Sequence, residues 1–472
     1  MVPRATLVLL LVVLVVLVCP LAAAALDTSP IGQIGGKARA KRLTPRQRRE
    51  GVTRSRGDEP MKRLLISLVL ALLVLSTLPA HAASLPTAKP EEVGLSSVGL
   101  QRIGRTLKAD VESGRLAGAV VVVARKGRIA YLESVGFRDK AAGALMTPDA
   151  IFRIASMTKP MVAVATMMLY EEGRLFVSDP VSKYFPALGK MRVSPGDGVL
   201  TEREMTIQDL LRHTSGLTYG NRGTTEVHKM YPESSNASSL ELTGDEFIEK
   251  LGRARLLYQP GTTWEYSLST DVLGRIVEVI SGQTLGQFLA ERVFRPLKIA
   301  DTGFVVSEAK RGRVAQPLAA DPDTGKEIKL PDPMVPRKFE CGGSCAVSTA
   351  GDYVRFAQML LNRGTLDGAR LLGRKTIEYM TADHLGTAVV RPGDLPGPGY
   401  GFGFTVAVRR DTGVANLAGS AGDYGWGGAF GTSFWVDPKE NLTVVFMSQA
   451  PGMNRGAYRN LVKSAVLAAI RD

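Results

Sequence analysis

The chain has 472 residues, enough for two or three average domains, and 45% of them are hydrophobic and 22% charged, the balance of a globular protein. A formal charge of +14 invites a nucleic-acid reading, but the excess is unevenly placed. Twelve Lys/Arg against four Asp/Glu fall within residues 1–82, so +8 sits there and the other 390 residues carry only +6. The remainder is a mildly basic protein for which no nucleic-acid partner is expected.

Two hydrophobic segments open the chain. Leu7 to Leu26 is nearly all apolar and long enough to span a bilayer. The second begins Met61-Lys62-Arg63, continues through Leu64 to Leu78 and ends Pro79-Ala80-His81-Ala82, the basic start, apolar middle and Ala-x-Ala exit of a secretory signal peptide. Because a signal peptide normally opens a protein, this pattern places the start of translation at Met61 and cleavage after Ala82. Residues 1–60 then read as a hydrophobic segment and a basic linker that need not be translated, 61–82 as the signal peptide and 83–472 as the functional domain. The expected location is periplasmic or secreted. The alternative is a protein anchored in the membrane by its first segment, and only then is a membrane a partner. Gly35 to Pro60 is too poor in large apolar residues to bury a core.

Cys19 lies in the first hydrophobic segment, whereas Cys341 and Cys345 flank Gly342-Gly343-Ser344. In an oxidising compartment this last pair either closes a small disulfide loop or stays as two thiols. No metal is expected, since there is no second cysteine pair and His213, His228 and His384 are widely scattered.

In chain order, Leu100, Ile103, Leu107 and Val111 follow helical spacing. Ala119–Ala124 and Ile129–Val135 read as strands joined by a turn at Arg125-Lys126-Gly127-Arg128. An apolar helix runs from about Ser156 to Glu171. Helices and long polar loops then extend to about Pro336, including Ser269–Ser281 and Leu285–Val293, and Ala350–Asn362 is helical again. Phe402–Val408, Ala429–Val436 and Leu442–Met447 are strand-like, the last two joined through Asp437-Pro438-Lys439-Glu440-Asn441. A final amphipathic helix carries Leu461, Val462, Ala465, Val466 and Ala469. Strands near both ends imply an α/β (α+β) fold, with one antiparallel sheet built from both termini, flanking helices and an inserted, mostly helical subdomain.

The most informative stretch is Ser156-Met157-Thr158-Lys159. One helical turn brings positions i and i+3 to one face, so a hydroxyl and an amine can meet. Pro160 lacks an N–H and is harmless only in the first turn, which places the helix start beside Ser156. The serine then faces the positive end of the helix dipole, and burial of Lys159 is expected to lower its pKa toward a usable base. Ser156 as a simple helix cap is the competing reading. Ser307-Glu308-Ala309-Lys310 matches the same spacing but precedes a charged stretch and reads as chance. Two further elements matter. Tyr266, in Trp264-Glu265-Tyr266-Ser267-Leu268, is a candidate proton relay or an ordinary half-buried aromatic. Trp426-Gly427-Gly428-Ala429 is either turn punctuation before a strand or a place where substrate meets backbone N–H groups.

Together these elements resemble the serine hydrolases that include class C β-lactamases, D-alanyl-D-alanine peptidases and family VIII carboxylesterases. The likeness covers nearly all of residues 86–470. It takes in Phe152 to Lys159, Leu211-Arg212-His213-Thr214-Ser215-Gly216-Leu217, Pro260-Gly261-Thr262, Pro296-Leu297 with Asp301-Thr302, and Ser348-Thr349-Ala350-Gly351-Asp352. The resemblance implies a β-lactamase/transpeptidase-like fold with Ser156 as acylated nucleophile, Lys159 as its activating partner and Tyr266 as general acid/base. The N–H groups of Ser156 and Ala429 would form the oxyanion hole.

Two departures bear on substrate. Class C β-lactamases carry Tyr-x-Asn at the second element, where this chain has Leu268. At the third element Lys-Thr-Gly is replaced by Trp426-Gly427-Gly428, as in some family VIII esterases. With Leu268, Trp426, Gly427 and Gly428 read as substrate-binding, both changes favour a small neutral ester over a β-lactam. The expected activity is therefore a carboxylesterase on short-chain esters, with β-lactamase, carboxypeptidase or acyltransferase chemistry as alternatives. The loops Tyr219–Glu241 and Leu385–Gly399 are expected to shape the acyl and alcohol pockets. No G-x-S-x-G, G-x-x-x-x-G-K-[ST] or H-E-x-x-H occurs, and no cofactor is expected.

Overall fold

The computed structural model describes residues 84–194, 198–393 and 395–472. The signal-peptide and linker readings for residues 1–82 lie outside them. Among the described residues, no helix is long and apolar enough to cross a membrane.

Helix α1 (Ser97–Glu112) starts at Ser96, whose hydroxyl accepts the Gly99 N–H, and it buries Leu100, Ile103 and Leu107. Strands β1 (Gly118–Arg125) and β2 (Arg128–Asp139) follow as a hairpin. Its turn needs positive φ at both central residues, and Lys126 (54°) and Gly127 (74°) supply it. The short β3 (Ala144–Leu145) closes this edge. Then come α2 (Thr158–Glu171), α3 (Ser269–Ser281) and α4 (Ala350–Leu361), set among shorter helices and loops. The chain returns to the sheet through β4 (Tyr400–Phe402), β5 (Ala407–Arg409), β6 (Tyr424–Gly427), β7 (Ser433–Asp437) and β8 (Leu442–Ser448), and ends in α5 (Asn454–Ala468).

One antiparallel sheet of eight strands results, in the order β4-β5-β6-β7-β8-β1-β2-β3. The pairing of β1 with β8 joins the two ends of the chain, Val122 opposite Val445. Because β1 is central, its run of alternate side chains feeds two cores. Val120, Val122 and Ala124 enter the core shared with α2 and α4, whereas Ala119, Val121 and Val123 enter the one under α1 and α5. Every residue of β1 is buried, which is why it reads as a continuous apolar run. Helix α2 is buried from Thr158 to Leu169, as expected for a core helix. The expected fold class, with its helical insertion, is the observed one.

Local boundaries differ in three places. Phe402–Val408 is not one strand but two, β4 and β5. Gly403 N–H bonds the Val406 carbonyl at 2.8 Å and Thr405 takes φ 64°. The turn is built of buried residues, so no polar interruption announces it. The strand expected at Ala429 begins at Ser433, because Gly428 to Thr432 form a tight turn. The segment Tyr219–Glu241 is not a plain loop. It holds short helices at Glu226–Lys229 and Ser235–Glu241, capped by the side chains of Thr225 and Ser234. Cys341 and Cys345 form a disulfide.

Candidate active site

A cavity of about 540 Å³ opens beside the end of β6. Its wall includes Ser156, Tyr266, Trp426, Gly427, Gly428 and Ala429, so six of the eight residues singled out from sequence meet there.

Ser156 sits in a tight turn, Ala155–Met157, that runs directly into α2. On one side the chain is held by the pairing of Phe152–Arg153 with Val347–Ser348. On the other, Thr158 Oγ1 donates to the Ala155 carbonyl (2.7 Å) and accepts the Ala346 N–H (3.1 Å), and Tyr353 donates to the Met157 carbonyl (2.8 Å). Between these anchors Ala155 takes φ 45°, a left-handed conformation that costs a residue with a Cβ about 1–2 kcal/mol. Strain of this kind persists only where the surroundings over-determine it, and here it turns the serine into the cavity. Among the described residues, no hydrogen bond engages the Ser156 hydroxyl. That leaves it available, and it does not act as a helix cap.

Lys159 is fully buried one turn further on. Its ammonium donates to the Gly343 carbonyl (2.7 Å) and to Tyr219 Oη (3.1 Å), and lies 4.6 Å from the centre of the Tyr266 ring. The groups behind it close a ring. Tyr219 Oη meets Ser235 Oγ (3.3 Å), Ser235 donates to Asp271 (2.7 Å), and Asp271 accepts the N–H of Gly343 (2.9 Å). The expectation of a lowered lysine pKa is corrected here. Burial does pull it down, but its interactions with Tyr219, Tyr266 and Asp271 outweigh that, and the net shift is upward. Lys159 is therefore a fixed cation. Tyr219, pushed up to about 12 chiefly by burial, stays a neutral phenol.

Gly343 can serve both Lys159 and Asp271 only because it lacks a side chain. A Cβ there would stand 2.3 Å from Ser235 Oγ and 2.4 Å from the Asp271 carboxylate. The Cys341–Cys345 disulfide spans this glycine and closes the loop that presents its carbonyl.

Tyr266 rests on aromatic neighbours, with ring centres 4.7 Å from His213, 5.5 Å from Trp426 and 6.0 Å from Trp264. His213 is buried and accepts the Ser267 N–H at Nδ1 (3.3 Å). Burial, then the charges of Lys159 and Arg222, hold its pKa well below the usual range, so it supports Tyr266 as a neutral ring. Trp426 donates its indole N–H to Tyr266 Oη at 3.0 Å. This indole is thus not a purely apolar replacement for a lysine, since it keeps one donor and directs it at the tyrosine oxygen.

Gly428 packs against the nucleophile turn. A Cβ on it would lie 2.3 Å from the Ile154 carbonyl, so glycine is required for the approach that brings the Ser156 and Ala429 segments together. Leu268 is a correction. It is fully buried in the core with α2 and α3 and is not among the residues lining the cavity. It ends the turn that starts α3, and its side chain points inward there. In the second Ser-x-x-Lys, Ser307 is exposed and Lys310 is paired with Asp301 (2.8 Å), so it contributes nothing to the site. Of the two expected pocket loops, Leu395 to Pro398 and Arg222 reach the cavity wall. Arg222 is held by Glu265 (2.8 Å).

The sheet flanked by helices and the serine turn above a buried lysine define a serine hydrolase. Residues 103–468 match the family Beta-lactamase, and the chain belongs to that family. It is 34% identical over 375 residues to an uncharacterised protein of Mycobacterium tuberculosis, covering 76% of this chain and 92% of that one. It is also 34% identical over 352 residues to esterase EstB of Burkholderia gladioli, covering 71% and 86%. Among solved structures, EstCE1, a hydrolase with promiscuous acyltransferase activity, superposes with a TM-score of 0.68 at 28% identity over 78% of this chain and 98% of that one.

Proposed function

We propose that the protein is a carboxylesterase that works through an acyl group on Ser156. As the Ser156 oxygen attacks the ester carbonyl, Tyr266 relays its proton in one concerted movement, Oη taking the serine proton as the phenol proton moves on to the alcohol oxygen that departs. Water then repeats the exchange in reverse and releases the acid. Lys159, as a fixed cation beside the Tyr266 ring, stabilises negative charge that builds on either oxygen during transfer. The amides of Ser156 and Ala429 take the oxyanion.

The Trp426–Tyr266 hydrogen bond carries the choice of ester over β-lactam. The group at the third element serves the tyrosine and offers no cation for a β-lactam carboxylate, and the likeness to esterase EstB supports the same reading. The test is turnover of short-chain p-nitrophenyl esters and of nitrocefin, side by side, on the protein from Ala83 and on Ser156→Ala. Ester turnover lost in the variant, with little nitrocefin cleavage, is expected. Efficient nitrocefin cleavage would reverse the assignment. The likeness to EstCE1 supports a second use of the same acyl-serine, transfer to an added alcohol, which appears as ester product when methanol is included. Export through residues 61–82 is supported by the disulfide, which suits an oxidising compartment. It predicts Ala83 as the first residue of the secreted protein.

A further inference from the structure

Helix α5 buries Tyr458, Val462 and Val466 against the sheet, yet Arg459 reaches the other way, over the end of β6. Its guanidinium donates to the carbonyls of Gly428 and of Thr432, the latter at 2.9 Å. These two carbonyls bracket the turn between β6 and β7, in which the Gly428 carbonyl also accepts the Gly431 N–H (3.1 Å) and the Gly428 N–H bonds Thr432 (2.8 Å). The fit is close, since a Cβ on Gly427 would stand 2.6 Å from the guanidinium carbon. Among the described residues no carboxylate pairs with Arg459, whereas Lys463, one turn on, is taken up by Asp423 at 3.0 Å. Burial, then repulsion from Arg455, pushes the Arg459 pKa down to about 10, so it remains a cation at neutral pH.

The carbonyl of Gly428 and the N–H of Ala429 belong to one peptide group. A charged donor on the oxygen end polarises that group and strengthens the N–H at its other end as a donor, because hydrogen bonds in series reinforce one another in a low-dielectric site. We infer that Arg459 is a positioning residue for the oxyanion hole: it holds the Gly428–Thr432 turn and polarises the peptide whose N–H faces the developing oxyanion. This rests on the proposed role of the Ala429 amide and goes beyond it, because Arg459 acts from outside the reacting groups.

The experiment compares wild type with Arg459→Met and Arg459→Lys on a p-nitrophenyl ester and on its thionoester, in which sulfur replaces the carbonyl oxygen. Binding of a boronic acid that forms a tetrahedral adduct on serine is measured alongside. Loss of one oxyanion donor typically costs about 100- to 1000-fold in kcat, so loss of its support is expected to cost about 10- to 100-fold with KM nearly unchanged. Boronate affinity should weaken in parallel, the preference for oxygen over sulfur should shrink, and Arg459→Lys should recover part of each. A merely structural brace would lower thermal stability and leave the oxygen preference and the kcat-to-boronate proportion untouched, which would overturn the inference. If Arg459→Met does not fold, the same readouts on Arg459→Lys decide, with a wild-type oxygen preference in the lysine variant counting against it. A wild-type enzyme with no oxygen preference would instead sink the oxyanion assignment itself.

Discussion

The two walls of the cavity are built differently. The helical wall, behind Ser156, is buried. Lys159, Asp271 and Ser235 are fully buried or nearly so, and their hydrogen bonds close on one another through Tyr219 and Gly343. The sheet wall is partly exposed and made of a turn, Gly427 to Ala429, with the Leu395–Pro398 segment and the cationic side of α5 around it. Buried polar networks rigidify when every member is satisfied, whereas partly exposed loops tolerate exchange of the side chains they present, here Trp426 and Leu395 rather than the two glycines. On the proposed mechanism the first wall holds the nucleophile and its buried cation, and the second holds the Ala429 amide and the side chains that face substrate, with Tyr266 touching both.

The largest effect should come where the walls meet. Tyr266→Phe removes the relay oxygen and is expected to lower kcat for ester hydrolysis by about 100- to 10,000-fold, the usual weight of a general acid/base. Circular dichroism should show the fold intact. Next, Leu268→Asn restores the residue type that class C β-lactamases carry there. Because Leu268 is core and not wall, the amide would be buried without a partner, at a cost of about 1–3 kcal/mol. Denaturant titration should show that loss, and nitrocefin turnover should not rise. Trp426→Phe keeps the ring and removes the N–H to Tyr266, a bond worth about 1 kcal/mol net, so kcat/KM for esters should fall roughly five- to tenfold. An unchanged ratio of ester to nitrocefin turnover in that variant would move selection away from the Trp426 hydrogen bond.

The smallest effect on turnover concerns a buried carboxylate beside the segment that carries His213. Asp209 is buried and bonds Arg203 (2.6 Å), Thr214 (2.8 Å) and Arg212 (3.1 Å). Burial pushes its carboxyl up, but the Arg203 guanidinium, the Thr206 N–H and the Thr214 hydroxyl outweigh it and the net pKa is lowered. A carboxylate lowered on folding adds stability above its unfolded pKa of about 3.9, and that stability is lost as pH falls through the folded value. Asp209→Asn should therefore be less stable than wild type at pH 6, with the gap narrowing below about pH 4 in acid-unfolding curves.

Much of the frame was legible in the chain. The run from Ala119 to Ala124 announces a strand buried on both faces, and Pro160 fixes where α2 begins and hence where Ser156 stands. Trp426 is legible as well, but from sequence its indole reads as apolar, whereas its N–H donates to Tyr266 Oη. The groups that hold Lys159 were not legible. Tyr219 and Ser235 lie in one expected pocket loop, but Asp271 and Gly343 come from two other segments, each an ordinary residue in its own context, and only folding makes them one network. That network also reversed the expected pKa, because burial alone says nothing of what a charge is buried beside. Gly343 left one trace, a glycine pair between two cysteines. Arg459 left none, since a helical arginine near a C-terminus reads as solvated.

The most direct test is the acyl intermediate itself. Enzyme mixed with a p-nitrophenyl ester and quenched in acid within the first turnovers should show, by intact-mass and peptide spectrometry, one acyl group on the peptide containing Ser156 and none on Ser156→Ala. An acyl group on another residue, or undiminished ester turnover in Ser156→Ala, would contradict the account.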